Sequence, residues 1–396
     1  MPKYYLDLPW TAEVPQAYRA DSAELMAVSG LNIGNFAFRH ALRFILADLE
    51  TYQPLCYPPY LTAAREGLVE RTIVSCANWL GTSEQDEASN LNRARTFAAT
   101  DAPTTCFGLG VQARAGDDVP TLGPNTRQLA EVLAERSPRL SVRDELTRRT
   151  LEGIGITNTV VTGCPSNFIN PDPDLGARII ARARALRSQS RSWTQMRSIL
   201  SEFSGGHAAS GQVLHESLRL MADTPSFLVL QSPALLPFLL RENDALPPAY
   251  LAANPFKPDV ERLRQTLRAG TLHFSSIEAW MDFSRTCDIS FGMRIHGTMV
   301  PLQAGVPALL VSHDSRTAGL ARQMEVPQLQ ADEFAEICRD GPDRMLDAVI
   351  AQMAGYDSRR AELARVMCDY LEINGLEAHR ALTALAARQD TPPPPG

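Results

Sequence analysis

One short stretch sets an arginine and a histidine two residues apart between glycines: Phe291-Gly292-Met293-Arg294-Ile295-His296-Gly297. Arg294 is a permanent cation with a planar fork suited to carboxylate or phosphate. His296 is the side-chain type best able to move a proton near neutral pH. Gly292 and Gly297 leave out side chains and let a ligand approach the backbone. A fixed cation beside a proton carrier suits an anionic substrate that must be protonated.

Three other loops carry residues of the right type. Gly30-Leu31-Asn32-Ile33-Gly34-Asn35 is glycine-rich and follows an apolar run. Gly108-Leu109-Gly110-Val111-Gln112 places a polar side chain after a strand, and Ser141-Val142-Arg143-Asp144 places a cation at a strand end. His313, beside Asp314 and Arg316, follows the apolar run Val306 to Val311 and is a further binding candidate. Taken singly, each has a plainer reading. Gly30 and Gly34 can simply make a turn, Gln112 can cap a helix, Arg143 can pair with Asp144, and His296 can pack in a core. Their shared position at strand ends in both halves of the chain favours a ligand site, because open α/β sheets bind ligands there. The remaining histidines are weaker. His40, His215 and His379 fall in helical patterns, His207 in a loop, and His273 in a short strand with a structural role. Gly163-Cys164-Pro165-Ser166 reads as a strand-end turn, not a thiol nucleophile.

The elements that must position these residues alternate. Apolar runs at 71–76, 104–111, 140–143 and 158–162 read as strands, with helical periodicity over 38–49, 126–135 and 144–151. A second alternating section has strands at 226–230, 272–274, 287–291 and 307–311, with helices over 261–268, 276–283 and 296–304. Strands that are apolar throughout, separated by helices, imply parallel sheets with crossover helices. The expected layout is α/β: an N-terminal domain over 1–170, an arginine-rich helical connector over 171–224, a C-terminal domain over 225–390 that includes closing helices, and a Pro-rich tail over 391–396. The two parallel-sheet domains are expected to face a cleft.

Composition sets further bounds. The chain has 396 residues, too long for one typical core. Its net charge of -7 argues against general nucleic-acid binding. Lys3 and Lys257 are its two lysines, which excludes a G-x-x-x-x-G-K phosphate loop. The seven scattered cysteines form no C-x-x-C pair, as expected in a reducing compartment without structural zinc. No H-E-x-x-H or similar ligand spacing occurs, so no metal is expected. No signal-peptide pattern and no apolar run of about 20 residues is present, which points to a cytoplasmic protein.

Together these motifs resemble the polysaccharide pyruvyl transferase family. Asn32-Ile33-Gly34-Asn35 is similar to its N-terminal glycine loop, and Gly108 to Gln112 to its central segment. Ser141-Val142-Arg143-Asp144, Thr147, Gly155-Ile156 and Gly163 to Ser166 follow its middle block. Asp288, Gly292 to Gly297, Gly305-Val306-Pro307, Asp314 and Arg316 follow its C-terminal block. The likeness covers residues 31 to 320, with no motif over 171–225. It implies a glycosyltransferase-B-like fold of two Rossmann-like domains, and transfer of the pyruvate group of phosphoenolpyruvate onto sugar hydroxyls of a glycan or its precursor, such as an exopolysaccharide. In the family the R-x-H motif binds donor and takes part in catalysis; here that implies Arg294 and His296. Arg143 matches the middle-block arginine, a further donor contact. Gly34, Asn35, Gln112, Gly292, Gly297 and His313 complete the implied binding set. No cofactor is implied beyond phosphoenolpyruvate as donor substrate. The implied acceptor is a sugar or lipid-linked glycan, with peripheral association at the inner membrane face in the lipid-linked case, and a homo-oligomer is compatible with this reading.

Two rivals share the architecture. A nucleotide-sugar-dependent glycosyltransferase would bind a nucleotide in the C-terminal half; the sequence has no obvious acidic residue dedicated to a ribose, with Glu278 and Asp282 left open. A non-catalytic sugar- or anion-binding protein would have Arg294 and His296 paired within the protein.

Overall fold

The computed structural model describes residues 1–6, 12–112, 119–203, 209–313 and 315–388, with Ser315 and Arg316 described by backbone alone. His207, Asp314, the Arg316 side chain and the 391–396 tail lie outside that description. The chain divides into two compact units: Met1–Trp10 with Ala41–Asp174 and Gly355–Gly396, and Thr11–His40 with Leu175–Ala354.

The second unit is built on a six-stranded sheet in which every pairing is parallel. Its strands are β9 (Ser198–Ser201), β10 (Ser226–Val229), β11 (Thr271–Leu272), β12 (Ile289–Gly292), β13 (Ala308–Ser312) and β14 (Gln328–Gln330). Their spatial order is β11-β10-β9-β12-β13-β14. Counted from β9, that is 3-2-1-4-5-6, the Rossmann order, which reverses direction between β9 and β12. The strands are short, and the central ones are buried on both faces. Every residue of β9, β12 and β13 is buried, which only two covering helical layers can provide.

The first unit is also parallel. β2 (Gln53–Leu55), β1 (Lys3–Leu6), β3 (Arg71–Ser75) and β5 (Thr104–Phe107) lie in that order. Past Gly108, whose φ of 69° turns the chain, Leu109 bridges to Val142 of β7 (Leu140–Val142). β7 in turn pairs with β8 (Thr159–Val161). A side pair joins β4 (Leu80–Gly81) to β6 (Val111–Gln112). Leu6, Val74, Cys106, Leu129 and Leu140 are among the residues of its core.

The α/β class with parallel sheets is therefore as the sequence implies, but the partition of the chain differs in three places. Residues 171–224, expected as a helical connector, contain β9, the strand at the centre of the second sheet. The helix before it, Leu175–Arg187, also belongs to that unit, where Arg187 pairs with Asp343 at 2.9 Å and Asp347 at 3.0 Å. The closing helices Tyr356–Ile373 and Arg380–Ala386 belong to the first unit. They are held there by Tyr370, whose ring meets Phe107 edge-on at 5.9 Å and whose hydroxyl donates to the Cys106 carbonyl, and by Arg360, which donates to the carbonyls of Asn167 and Asp172 at 2.9 and 2.7 Å. Finally, residues 12–40 fold with the second unit, where the Ser22 amide donates to Glu242 at 2.6 Å and the Ile33 amide to the Gln231 carbonyl at 3.1 Å.

Candidate active site

In a sheet of this order, ligands bind outside the carboxyl ends of the strands at the point of reversal. That point lies between β9 and β12. β12 ends at Gly292 and delivers Arg294 as the N-cap of the helix Ile295–Gln303, with His296 in its first turn. β9 ends at Ser201 and is followed by Glu202. The register places Gly292 directly beside Ser201. The Arg294 amide donates to Ser201 Oγ at 3.2 Å, which fixes the turn from strand to helix.

Glycines make this junction possible. A Cβ on Gly292, whose φ is 150°, would fall inside Ser201. One on Gly297 would also overlap Ser201 and would meet Gln231 Nε2 at 2.7 Å. Gly34 approaches the same place from the other end of the chain. A Cβ there would lie 2.9 Å from His296 Cβ and 3.0 Å from both Asn32 Oδ1 and Gln231 Oε1. The Gly34 loop is shaped locally: Asn32 Oδ1 accepts from the Gly34 amide at 2.9 Å, and Asn35 Nδ2 donates to the Ser29 carbonyl at 2.9 Å. The apolar run before the loop is a helix, Ser22–Val28, where a strand end was expected. Asp21 and Glu24 close a capping box at its start, and that box fixes helix over strand.

His296 is buried, and its ring lies 5.7 Å from that of Phe38. Arg294 is half-buried. Its guanidinium has no hydrogen-bond partner or ion pair among the described residues, and its Nε is buried. A helix N-terminus carries about half a unit of positive charge, so the site couples two positive features, with the buried Glu202 as an acidic group that acts on Arg294.

Glu202, at the end of β9, is 1% exposed. Its carboxylate accepts from the amides of Gln231 and Ser232 at 3.0 and 2.8 Å and from Ser232 Oγ at 2.7 Å. Burial raises its pKa above the ordinary 4.5, and the charge of Arg294 and these hydrogen bonds oppose the rise without cancelling it. Burial and the neighbouring Glu202 charge also push the Tyr250 hydroxyl well above its ordinary value, against the pull of Arg294. Ser201, Glu202, Gln231, Ser232 and Tyr250 were not singled out from sequence. The available signal was a polar pair directly after the apolar runs Ile199-Leu200 and Leu228-Val229-Leu230.

The fold thus brings Gly34, Gly292, Arg294, His296 and Gly297 together. Asn35 starts the helix Asn35–Ile45, with its side chain committed to Ser29. His313 follows β13, the strand next to β12. Arg143 and Gln112 lie in the first unit. Arg143, at the carboxyl end of β7, is buried and donates to Asn78 Oδ1 and the Cys76 carbonyl, both at 3.2 Å. Gly108 and Gly110 make room for it, since a Cβ on either would lie 3.4 or 3.2 Å from its side chain. Asp144, the partner considered for Arg143, caps the helix Glu145–Glu152 by accepting from the Thr147 amide at 2.8 Å. Gln112 is exposed at the end of β6.

The family model for polysaccharide pyruvyl transferase matches residues 32–315, most of the chain and all of the segments that build this junction. The chain belongs to the polysaccharide pyruvyl transferase family. Membership assigns it to polysaccharide pyruvylation in general terms, as a transferase. No curated protein matches it significantly in sequence. Similar solved structures include a putative UDP-N-acetylglucosamine 2-epimerase from Listeria monocytogenes (11% identity, 94% of this chain and 97% of that one, TM-score 0.43). The UDP-GlcNAc 2-epimerase of Neisseria meningitidis is another (11%, 78% and 80%, 0.40), as is UGT2 of Phytolacca americana (9%, 95% and 98%, 0.41). At these TM-scores the likenesses add nothing to the fold read from the strands. No described helix is long and apolar enough to cross a membrane.

Proposed function

We propose that this family member transfers the pyruvyl unit of phosphoenolpyruvate onto two hydroxyls of a sugar in a glycan or its precursor, as a ketal. One observation carries the reading: the Arg294 guanidinium has no hydrogen-bond or ion-pair partner among the described residues, and it stands at a helix N-terminus beside His296. The donor carries a phosphate and a carboxylate, and charge-assisted bonds from arginine suit either.

In the proposed sequence, a proton added to the donor's methylene carbon makes a methyl group and a cationic centre at the adjacent carbon. A sugar hydroxyl attacks that centre, forming the first carbon–oxygen bond and losing its proton. The bond to phosphate oxygen breaks, phosphate leaves, and a second hydroxyl closes the ketal as its proton departs. His296 supplies or relays the first proton. Arg294 and the helix amides hold the anionic end, so that positioning and fixed charge supply most of the acceleration. Arg143, in its own unit, is proposed as a further substrate contact.

His296→Ala tests the assignment. The variant is expected to keep its thermal stability and to lose turnover by about 100-fold or more, the usual range for a general acid–base group. Wild-type turnover in the folded variant removes His296 from the reaction.

A further inference from the structure

Gln231 combines a fixed backbone with an uncommitted side chain. It follows β10, at the carboxyl edge of the second sheet. Its amide donates to Glu202 at 3.0 Å, and its carbonyl accepts from Ile33 at 3.1 Å. The neighbouring Ser232 is tied to the same carboxylate by its amide and its hydroxyl. The residue is 1% exposed, yet neither end of its side-chain amide has a hydrogen-bond partner among the described residues, and Nε2 is buried. A buried amide left unpaired costs about 1–3 kcal/mol, so the position is one that the fold itself would fill more favourably with an apolar residue.

The place of that amide is specific. It is threaded between two glycines, Gly34 and Gly297, either of which would collide with it if it carried a Cβ. Gly297 is the third residue of the helix Ile295–Gln303, so Gln231 Nε2 reaches the same first turn whose amides adjoin Arg294 and His296. Arg294 Nε is likewise buried and unpaired. Two independent donors therefore converge on one helix N-terminus, and the anchor that holds the first of them, Glu202, acts electrostatically on the second.

We infer that Gln231 is a substrate-contacting residue, donating through Nε2 to an oxygen of the anionic group that Arg294 holds. The inference rests on the donor reading above and names a contact that reading does not contain. A neutral donor at this point adds a directional hydrogen bond where a second arginine would add charge. It therefore sets the orientation of the oxyanion more than its attraction. Its ligand class is a phosphate or carboxylate on a small molecule, and the two are separated by the choice of probe.

The test is calorimetric titration of the full chain with phosphoenolpyruvate, inorganic phosphate and pyruvate, in the wild type and in Gln231→Met and Gln231→Glu. Met keeps the bulk and removes the donor; Glu keeps the shape and sets an acceptor and a charge against the anion. Loss of a hydrogen bond to a charged group is expected to weaken phosphoenolpyruvate by about 10- to 100-fold in the Met variant, and by more in the Glu variant. In turnover, KM for the donor rises while kcat holds, because the contact is made equally before and during reaction. Weakening that tracks inorganic phosphate places the contact on the phosphate, and weakening that tracks pyruvate places it on the carboxylate. If either variant folds and binds every probe within about threefold of wild type, the inference falls and the donor reading stands. If the wild type binds none of the probes, both fall.

Discussion

A single methyl group at Gly34 is expected to disable the site while leaving the fold intact. The new Cβ would sit 2.9 Å from His296 Cβ and 3.0 Å from Asn32 Oδ1 and Gln231 Oε1. Carbon atoms in favourable contact sit about 3.5–4.0 Å apart, so at least about half an ångström of movement is required. The side chain of Gln231 can give, but His296 Cβ cannot swing away, because it is set by the helix backbone behind it. The helix itself is tied at its start by the Arg294 amide on Ser201. The displacement therefore falls on His296 or on the Gly34 loop. Overpacking of this kind costs about 1–3 kcal/mol, which lowers the melting temperature by a few degrees in a chain this long. A misplacement approaching an ångström in a catalytic group costs about 100-fold in rate. Gly34→Ala should thus melt slightly early and turn over about 100-fold more slowly. Gly211→Ala is the control: no described residue lies within 4 Å of its Cβ, and it falls near the start of the helix Ser210–Asp223. It should keep wild-type turnover and gain up to about 1 kcal/mol of stability. Wild-type turnover and melting in Gly34→Ala would refute the contact between the Gly34 loop and His296.

Two further outcomes follow from the charges. Arg294→Lys keeps the cation but loses the planar fork, and it should raise the donor KM by about tenfold or more; a wild-type KM would remove the guanidinium from donor binding. Because burial holds Glu202 above the ordinary 4.5 in the fold, its proton contributes stability at low pH that is lost as the pH rises through the folded value. Glu202→Gln removes that titration, so melting temperature measured from about pH 4 to pH 7 should fall less steeply than in the wild type, and an unchanged slope would contradict the burial argument.

The residues of the junction were legible in sequence to unequal degrees. Arg294 and His296 stood out because a cation and a proton carrier between glycines is an uncommon pattern, and β12 and β13 were visible as apolar runs. β9 was not. It is four residues long, begins and ends in serine, and follows an arginine-rich helix, so Ser198-Ile199-Leu200-Ser201 reads as part of the helical connector. It becomes a strand because parallel neighbours on both sides satisfy its backbone, a condition that only the assembled sheet supplies. Missing β9 meant missing Ser201 and Glu202, and with them the point where the sheet reverses. The run at 24–29 misled for the opposite reason. Its apolar residues suit either a short strand or a helix, and the capping box at Asp21 decides between them. The closeness of Gly34 to His296 was invisible because no local rule links two segments so far apart in the chain. Arg143 was rightly placed at a strand end, whereas the exposure of Gln112 follows from β6 pairing with β4 outside the main sheet.

The measurement that bears most directly on the central claim is acceptor-dependent release of inorganic phosphate from phosphoenolpyruvate, run beside a panel of nucleotide sugars with a pool of polysaccharide and lipid-linked glycan acceptors. The account predicts phosphate release and a new acid-labile pyruvyl group on the acceptor, both abolished in His296→Ala. Sugar transfer from a nucleotide sugar, with phosphoenolpyruvate left intact, would contradict it.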